Sequence, residues 1–424
     1  MLRRFNLRLC SSAASAIPNH TQGGQLLEQV HVVECPRDAM QGLRDFVPTD
    51  EKARYINALL KVGFHTIDFG SFVSAPAVPQ MRDTKDVLER LDLSQTTSKL
   101  LVVVANIKGA ARASSFDAIS SIGYPLSVSE TFQKANTNRD VNTALEDLQH
   151  MQTLCVNAKK PKELVAFISM AFGNPYGEAY HTEKVEALVE RVVNMGIRTV
   201  SLADTVGVSD APTIRKLYAS LIPRFPQVQF GAHFHSGTTS SALKVHTALD
   251  AGCRRFDGAI GGMGGCPFAK STLVGNVATE CIVDVVSRYG SSGKGIALTH
   301  GLDMNAFRQC EAIKHEIFGI AVKELLLART LKNEREFTKL CFDHFYRYDR
   351  SGTGFMELKE FEQSVKDVFS ELGASTPSTT KIQSSFQKLD ANHVGAITVE
   401  QYMAGARRLL TKKLKELEAD ESSH

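Results

Sequence analysis

The order of strand, helix and strand along one central stretch decides the fold. Residues 163–172 read ELVAFISMAF, residues 182–197 read TEKVEALVERVVNMGI, and residues 199–207 read TVSLADTVG. The first and third stretches are short and apolar with β-branched residues, whereas the second has apolar residues at three- and four-residue spacing. Strands that alternate with helices in this way pair in parallel through right-handed crossovers.

The same alternation extends from residue 29 to residue 262. The strand-like runs are VHVVECPRD, TIDFGSF, KLLVVVAN, YPLSVSETF, ELVAFISMAF, TVSLADTVG, VQFGAHFH and RFDGAIGG. Eight such units over roughly 250 residues predict a closed (β/α)₈ TIM barrel. A doubly wound open sheet is the alternative, although no GxGxxG motif follows the first run.

The length and charge of the chain limit what else it can be. The 424 residues accommodate a barrel with C-terminal helices over 25–330 and a second, small all-α domain over 331–424. A net charge of +3 favours neither nucleic-acid binding nor a basic membrane surface. No run approaches the ~18 to 20 apolar residues of a membrane span.

The N-terminal segment, residues 1–24, has the composition of a targeting sequence. It carries Arg3, Arg4 and Arg8 and several serines, and the first acidic residue is Glu28. Because arginines interrupt its apolar residues, it lacks the continuous apolar core of a secretory signal. This pattern is typical of a mitochondrial transit peptide and predicts a matrix location, with a disordered terminus as the alternative.

Two histidines close the seventh run, VQFGAHFH. His233 and His235 are two residues apart, so in a strand both side chains point to the same face. Their Cα atoms would lie roughly 6.6 Å apart, which allows both imidazoles to reach one metal ion. Ordinary surface or core histidines are the alternative. At the carboxyl end of a barrel strand, such side chains converge on the active site.

Three further residues fit a metal site at the same mouth of the barrel. The first run ends in Arg37 and Asp38, and Asn276 follows the eighth run in GNVATE. An Asp opposite two histidines supplies a hard oxygen ligand, and a mixed nitrogen and oxygen site suits Mg²⁺ or Mn²⁺. A structural Arg–Asp ion pair and a helix-capping Asn are the alternatives.

A glycine-rich segment follows the eighth strand. It reads GGMGGCPFAKSTLVGNVATE over residues 261–280, and Cys266 comes directly after its four glycines. A thiol beside a cationic site is a candidate general acid or base. A small buried cysteine without chemical function is the alternative.

Taken in order, these motifs resemble one enzyme family. The segments are VECPRDAMQ, TIDFGSFVSAPAVPQM, NIKG, SETFQKANTN, GNPYG, SLADTVGV, HFH and GGMGGCPFA followed by GNVATE. Over about residues 29–300 the chain resembles 3-hydroxy-3-methylglutaryl-CoA (HMG-CoA) lyase. The resemblance implies a divalent metal, Mg²⁺ or Mn²⁺, and cleavage of the acyl-CoA substrate HMG-CoA to acetyl-CoA and acetoacetate. The implied metal ligands are Asp38, His233, His235 and Asn276.

The resemblance also implies catalytic roles for individual side chains. Arg37 would stabilise the enolate that departs as acetyl-CoA, and Cys266 would be the general acid or base. His233 would help as a base with the carboxylate of Asp204 near it. Asp68 is the remaining catalytic candidate.

Three positions differ from the lyase pattern. The chain has Asp68, Ser236 and Ala39 where the family usually has Glu, Asp and Gly. Two other functions therefore stay open: a condensing acyl-CoA synthase of the same barrel superfamily, and a non-catalytic paralogue with a calcium-responsive tail. Assembly into a homo-oligomer also stays open.

The C-terminal part contains two copies of a helix–loop–helix pattern. The first loop, DRSGTGFMELKE, matches the spacing of an EF-hand, with Gly354 at the turn. Its candidate calcium ligands are Asp349, Ser351, Thr353, the carbonyl of Phe355, Glu357 and Glu360. The second loop, DANHVGAITVEQ, ends in Gln401 instead of a bidentate Glu, and we expect it to be structural. The family resemblance does not cover this region.

Overall fold

The computed structural model describes residues 21–22, 25–43, 45–264, 275–299, 301–349, 352–371 and 375–421. Its main feature is a sheet of parallel strands that closes on itself. These strands are β1 (Glu28–Glu34), β2 (Thr66–Ser71), β3 (Lys99–Val103), β4 (Ile119–Ser127), β5 (Glu163–Ser169), β6 (Thr199–Asp204), β7 (Gln229–Phe234) and β8 (Arg255–Gly258).

The barrel closes because β1 pairs with β8 as well as with β2. In the closing pair His31 lies opposite Arg255 and Glu34 lies opposite Gly258. A further short strand, β9 (Ile296–Leu298), pairs in parallel with the beginning of β1. The TIM barrel predicted from the sequence is therefore confirmed, and the open doubly wound sheet is wrong.

Helices connect the strands and cover the outside of the barrel. They are α1 (Pro36–Gln41), α2 (Thr49–Leu60), α3 (Thr84–Leu88), α4 (Ile107–Ser114), α5 (Glu130–Thr137), α6 (Val141–Val156), α7 (Thr182–Asn194), α8 (Ala211–Arg224), α9 (Thr238–Asp250), α10 (Thr279–Tyr289) and α11 (Met304–Lys332).

Local sequence explains where several of these helices begin. The side chains of Asn106, Asp140 and Asp210 precede α4, α6 and α8, and each accepts a 2.9 Å hydrogen bond from the backbone N three residues later. These bonds satisfy N–H groups that have no partner inside the helix. The caps fix the points at which the chain leaves the rim of the barrel.

Two large apolar clusters stabilise the described part of the chain, and a third, small one comprises Phe132, Met170 and Val206. The largest lies between the strands and their helices, and it includes Val30 and Val32 of β1 and helix residues such as Val185 and Val189. The second includes Leu327 of α11 and lies among the C-terminal helices. α11 therefore contributes to both large clusters and runs through residue 330, the boundary expected from the sequence.

The C-terminal region is predominantly helical, as the sequence predicts. It comprises α12 (Glu334–Tyr348), α13 (Leu358–Glu371), α14 (Thr379–Leu389) and α15 (Val399–Glu421), with the short strands β10 (Met356–Glu357) and β11 (Ala396–Ile397). The two strands pair antiparallel, with Met356 opposite Ile397. They join the two helix–loop–helix units side by side.

Some sequence predictions lie outside the described residues. The segment with the composition of a transit peptide falls almost entirely in residues 1–20, and Cys266 and Ser351 also belong to the undescribed parts of the chain. Across the helices that the structure describes, none combines the length and the apolarity that crossing a lipid bilayer requires.

Candidate active site

Three potential metal ligands meet at the carboxyl ends of the strands. Asp38 lies in α1, directly after β1, whereas His233 lies in β7 and His235 follows that strand by one residue. All three side chains are buried, and their ligand atoms lie within 4.8 Å of one another. In the part of the chain that the structure describes, no other three His, Cys, Asp or Glu side chains gather in this way. The arrangement fits one cation.

Asn276 lies against this triad. An isolated β-bridge pairs it with His235, and its Nδ2 donates hydrogen bonds to Asp38 Oδ2 (2.5 Å) and to the carbonyl of Met263 (2.8 Å). Its Oδ1 is buried and has no hydrogen-bond partner among the described residues, and the same holds for Nδ1 of His235. A half-turn of the amide exchanges its oxygen and nitrogen. The unsatisfied atoms fit a site that a cation completes.

The ring of His233 is oriented by a carboxylate that the sequence analysis missed. Asp257 Oδ2 lies 3.2 Å from His233 Nδ1, and Ser201 donates a 3.1 Å hydrogen bond to the same oxygen. Burial lowers the pKa of His233, but the hydrogen bond and charge of Asp257 and the charge of Asp38 leave that pKa above its usual value. A histidine that ligates a metal commonly donates its other N–H to such a carboxylate.

Asp204 does not take the place beside His233 that we expected. In the register of β6 and β7, Ala203 lies opposite His233 and Asp204 lies opposite Phe234, so its side chain follows the other face of the sheet. Its Oδ2 is 2.7 Å from Lys244 Nζ and accepts a 2.6 Å hydrogen bond from the hydroxyl of Ser209. Asp204 therefore holds a buried ion pair.

Arg37 and Asp68 form a buried ion pair beside the triad. Arg37 Nη2 lies 2.6 Å from Asp68 Oδ2, its Nε is 3.0 Å from the same oxygen, and its Nη1 is 3.1 Å from Asp38 Oδ1. Gln41 is a further member that the sequence analysis missed. It accepts from Arg37 Nη1 at 2.9 Å and donates to Asp38 Oδ1 at 2.5 Å. Gln41 follows Asp38 by three residues and Arg37 by four, and in a helix this spacing predicts that the three side chains are neighbours.

The pKa values of the two carboxylates around Arg37 shift in opposite directions. Burial raises the pKa of Asp38, but the charges of Arg37, His235 and His233 outweigh it, and the resulting pKa is lower than usual. Burial also raises the pKa of Asp68, and there Arg37 offsets only part of the increase, so the pKa stays above its usual value. Asp38 is therefore held as the anion that a cation requires.

A cleft opens above these side chains. Arg37, Asp38, His233 and His235 form its floor. Its walls combine apolar and hydroxyl-bearing side chains, among them Val73, Val78, Val103, Phe132, Phe167, Ser71, Ser169 and Thr205. A substrate that reaches the triad therefore enters a largely apolar pocket with polar groups at its base.

Comparison with known proteins identifies the family. The family model described as HMGL-like matches residues 31–313. The chain is 30% identical over 308 residues to the cytoplasmic 3-hydroxy-3-methylglutaryl-CoA lyase of Rattus norvegicus, which covers 72% of this chain and 86% of the rat protein. The chain belongs to the HMGL-like family.

Other HMGL-like relatives agree with this assignment. Hydroxymethylglutaryl-CoA lyase YngG of Bacillus subtilis is 32% identical over 58% of this chain and 81% of its own, and the mitochondrial enzyme of Gallus gallus is 30% identical over 66% and 92%. The relatives thus include cytoplasmic, bacterial and mitochondrial proteins. As a member of the HMGL-like family, the protein is a carbon–carbon lyase.

A solved structure of an HMGL-like relative has the same fold. The HMG-CoA lyase from Acinetobacter baumannii, in complex with coenzyme A and 3-methylmalate, matches with a TM-score of 0.62 and 29% sequence identity. The match covers 69% of this chain and 92% of the bacterial chain.

Gly264, in the segment that leads to Cys266, lies against Asp38 and Asn276. Gly264 has a φ of 95°. A Cβ at this position would lie 2.5 Å from the carbonyl oxygen of Asp38 and 2.8 Å from Asn276 Nδ2. Only glycine fits here, because both the backbone conformation and the space exclude a side chain. The segment thus passes directly over the triad before it enters the undescribed residues 265–274.

We predict that Asp257→Asn weakens Mn²⁺ binding by about 10- to 100-fold, since an amide no longer fixes the tautomer of His233 as the carboxylate does. Isothermal titration with Mn²⁺ measures the effect.

Asp204→Asn is the matched control, because it removes another buried carboxylate of the neighbouring strand. Asp204→Asn should lower the free energy of unfolding by about 3–5 kcal/mol, because it leaves the buried charge of Lys244 without its carboxylate partner. Its Mn²⁺ affinity should stay within about threefold of wild type, a smaller loss than the one expected for Asp257→Asn. The opposite ranking of the two variants in Mn²⁺ affinity would show that Asp204, not Asp257, orients His233.

Proposed function

We propose that this lyase cleaves HMG-CoA to acetyl-CoA and acetoacetate. The observation that carries the proposal is the buried group of Asp38, His233 and His235 with Arg37 beside it, in a family whose relatives include HMG-CoA lyases. A relative with coenzyme A and 3-methylmalate bound supports an acyl-CoA substrate with a short hydroxy-acid part.

We assign the metal site to Mg²⁺ or Mn²⁺, held by Asp38, His233, His235 and Asn276. When bound there, the cation supplies a Lewis acid that lowers the pKa of the substrate's tertiary hydroxyl. Two nitrogen and two oxygen ligands are typical of an open catalytic site of this kind.

His233 has one ring nitrogen available for chemistry. Its Nδ1 faces Asp257, so Nε2 either ligates the cation or accepts the hydroxyl proton, and one nitrogen cannot do both at the same time. We assign Nε2 to the cation, and the hydroxyl proton then leaves to solvent water in the cleft. Under this assignment a His233→Ala variant loses Mn²⁺ affinity together with turnover.

Arg37 is suited to stabilise the enolate that forms as the carbon–carbon bond breaks. A guanidinium has five N–H groups. In Arg37 the single N–H of Nε and one N–H of Nη2 contact Asp68, and the two N–H groups of Nη1 contact Asp38 and Gln41. The remaining N–H of Nη2 can donate to the developing oxyanion. We further propose that Cys266, placed by its family motif, protonates the enolate carbon.

We predict that the purified full-length chain releases acetoacetate from HMG-CoA in the presence of Mg²⁺. Cys266→Ala should lower kcat by about 10²- to 10⁴-fold, the usual contribution of a general acid or base. His233→Ala should lose turnover together with Mn²⁺ binding, because it removes a ligand of the cation. Cys281→Ala is the matched control, because Cys281 is a half-buried thiol in α10 and is not among the residues that line the cleft. The activity of this variant should be that of wild type.

Three results would contradict the proposal or its assignments. Consumption of acetyl-CoA with a 2-oxo acid, without cleavage of HMG-CoA, would identify a condensing synthase. Mn²⁺ affinity that survives in His233→Ala while turnover is lost would assign His233 as the base. An inert wild-type enzyme with Mg²⁺ bound would favour the non-catalytic alternative.

We propose that the C-terminal helices form an EF-hand-like pair with calcium in the first loop. Asp349 accepts hydrogen bonds from the backbone N of Thr353 (3.2 Å) and Gly354 (2.7 Å), and Asp390 repeats this pattern in the second loop. The first loop closes with Glu360, which supplies the bidentate carboxylate that calcium requires. In the structure Glu360 Oε2 instead accepts a 3.1 Å hydrogen bond from the backbone N of Glu357.

We predict that 1 mM Ca²⁺, a concentration of about the weakest known EF-hand dissociation constants, raises the Tm of the wild type, whereas Glu360→Gln abolishes this shift. Differential scanning calorimetry of the full chain measures both. Gln401→Ala is the control at the corresponding position of the second loop and should keep the calcium shift. A wild-type Tm that calcium leaves unchanged would make both loops structural.

We propose a mitochondrial location from the arginine-rich composition of residues 1–24. A fluorescent protein that carries this segment should accumulate in mitochondria, and the same fusion with Arg3, Arg4 and Arg8 changed to Glu should not. Cytoplasmic fluorescence from the unchanged fusion would overturn the assignment.

A further inference from the structure

Two short stretches of backbone run side by side next to the triad. One follows β8 and the other leads into α10. The N–H of Ala259 donates to the carbonyl of Val277 (3.1 Å), and the N–H of Thr279 donates to the carbonyl of Ala259 (3.1 Å). The first stretch continues to Met263 and the second contains Asn276, which are joined by the 2.8 Å hydrogen bond from Nδ2 to the Met263 carbonyl. The position of Asn276 thus depends on how the two stretches are held together.

Glu34 contacts both stretches with one carboxyl group. It is the last residue of β1, and its side chain is fully buried. Oε1 accepts a 2.9 Å hydrogen bond from the backbone N of Ile260 in the first stretch. Oε2 lies 2.5 Å from the hydroxyl oxygen of Thr279 in the second, within hydrogen-bond distance. No step of the proposed reaction uses this side chain.

The side chain of Glu34 lies on the outer face of β1, away from the reacting groups. Val30 and Val32, at alternate positions of the same strand, belong to the apolar cluster between the barrel and its helices. Successive strand residues point to opposite faces, so Glu34 shares their side of the sheet. Asp38 reaches the cleft only because α1 turns the chain over the mouth of the barrel.

We propose that Glu34 is a positioning residue for the metal site: it ties the stretch after β8 to the beginning of α10 and thereby sets Asn276 against Asp38. The inference rests on the proposed metal site. A polar residue outside the ligand shell that orients a ligand typically contributes 10- to 100-fold in metal affinity.

The protonation of Glu34 decides which substitution preserves its role. Burial raises the pKa of Glu34 to about 8, and the ionisable groups around it are those of Glu280, Lys314, Tyr55 and Cys310. At pH 7 the side chain is therefore mainly a neutral carboxylic acid, whose O–H can donate to the Thr279 hydroxyl while its carbonyl oxygen accepts from the backbone. Glutamine offers the same donor and acceptor, whereas leucine offers neither.

The test compares Mn²⁺ affinity at pH 7 by isothermal titration of the full-length chain, together with the Tm of each variant. Glu34→Leu should bind Mn²⁺ at least about 10-fold more weakly than wild type, and Glu34→Gln should stay within about twofold. Thr279→Val should weaken binding as well. The Glu34→Leu/Thr279→Val double variant should lose no more than the weaker-binding single variant, because both residues act through one contact.

Val32→Ala is the matched control for general destabilisation. Val32 is buried on the same face of the same strand, so this variant should lower the Tm but leave Mn²⁺ affinity unchanged. Mn²⁺ binding by Glu34→Leu as tight as that of Val32→Ala would overturn the inference and leave the proposed function intact. If Glu34→Leu does not fold, unchanged binding by Thr279→Val overturns it instead. Failure of the wild type to bind Mn²⁺ would overturn the metal site itself.

Discussion

The hydrogen bonds between β1 and β8 hold the site together, because they join the beginning of the barrel to its end. β8 pairs on one side with β1, where Asp257 lies opposite Val33, and on the other with β7, where Asp257 lies opposite His233. The last strand therefore lies between the strand that leads to Asp38 and the strand that carries the histidines. The ligand distances follow from this register, since neighbouring strands in a sheet are about 4.8 Å apart.

Buried charged side chains surround the candidate metal site. Arg37 lies between the carboxylates of Asp38 and Asp68, and Asp38 also lies beside both histidines. Desolvation makes any unpaired ion in such a place expensive, so each charge has a partner of opposite sign or a hydrogen-bond donor. Asp257 shows the same rule at a second position, because Ser201 and His233 share its oxygen and Arg255 lies 3.7 Å away. The site is thus electrostatically arranged before any substrate arrives.

The sequence predicts the barrel well, because each strand-like run alternates with an amphipathic helix and parallel strands can close in few ways. It also predicts that Asp38 and the two histidines meet, since all three follow or end strands at the same rim. It does not predict which carboxylate faces His233. Asp204 and Asp257 both lie within strand-like runs, and only the pairing register shows that Asp257 lies opposite His233 and Asp204 opposite Phe234.

Contacts that depend on tertiary packing also could not be predicted from the sequence, because the partners are known only once the chain is folded. Glu34 reads as one polar residue at the end of an apolar run, and its two partners lie far along the chain in segments that only the folded barrel brings near. Gln41 differs, because its bonds to Arg37 and Asp38 follow from helical spacing once α1 is known to begin at Pro36. The short helix itself carries no periodic signal, since it has fewer than two full turns.

The uninterrupted course of α11 has a practical consequence for dissecting the protein. The helix has 29 residues, and its beginning packs in the barrel cluster through Phe307 and Cys310, whereas Leu327 and Leu331 pack with the C-terminal helices. A chain truncated at residue 330 would strip the partners from Leu327 and leave an apolar surface at the end of the helix. Excised barrels should therefore be prone to self-association, and a soluble fragment would need polar replacements in the last turns of α11.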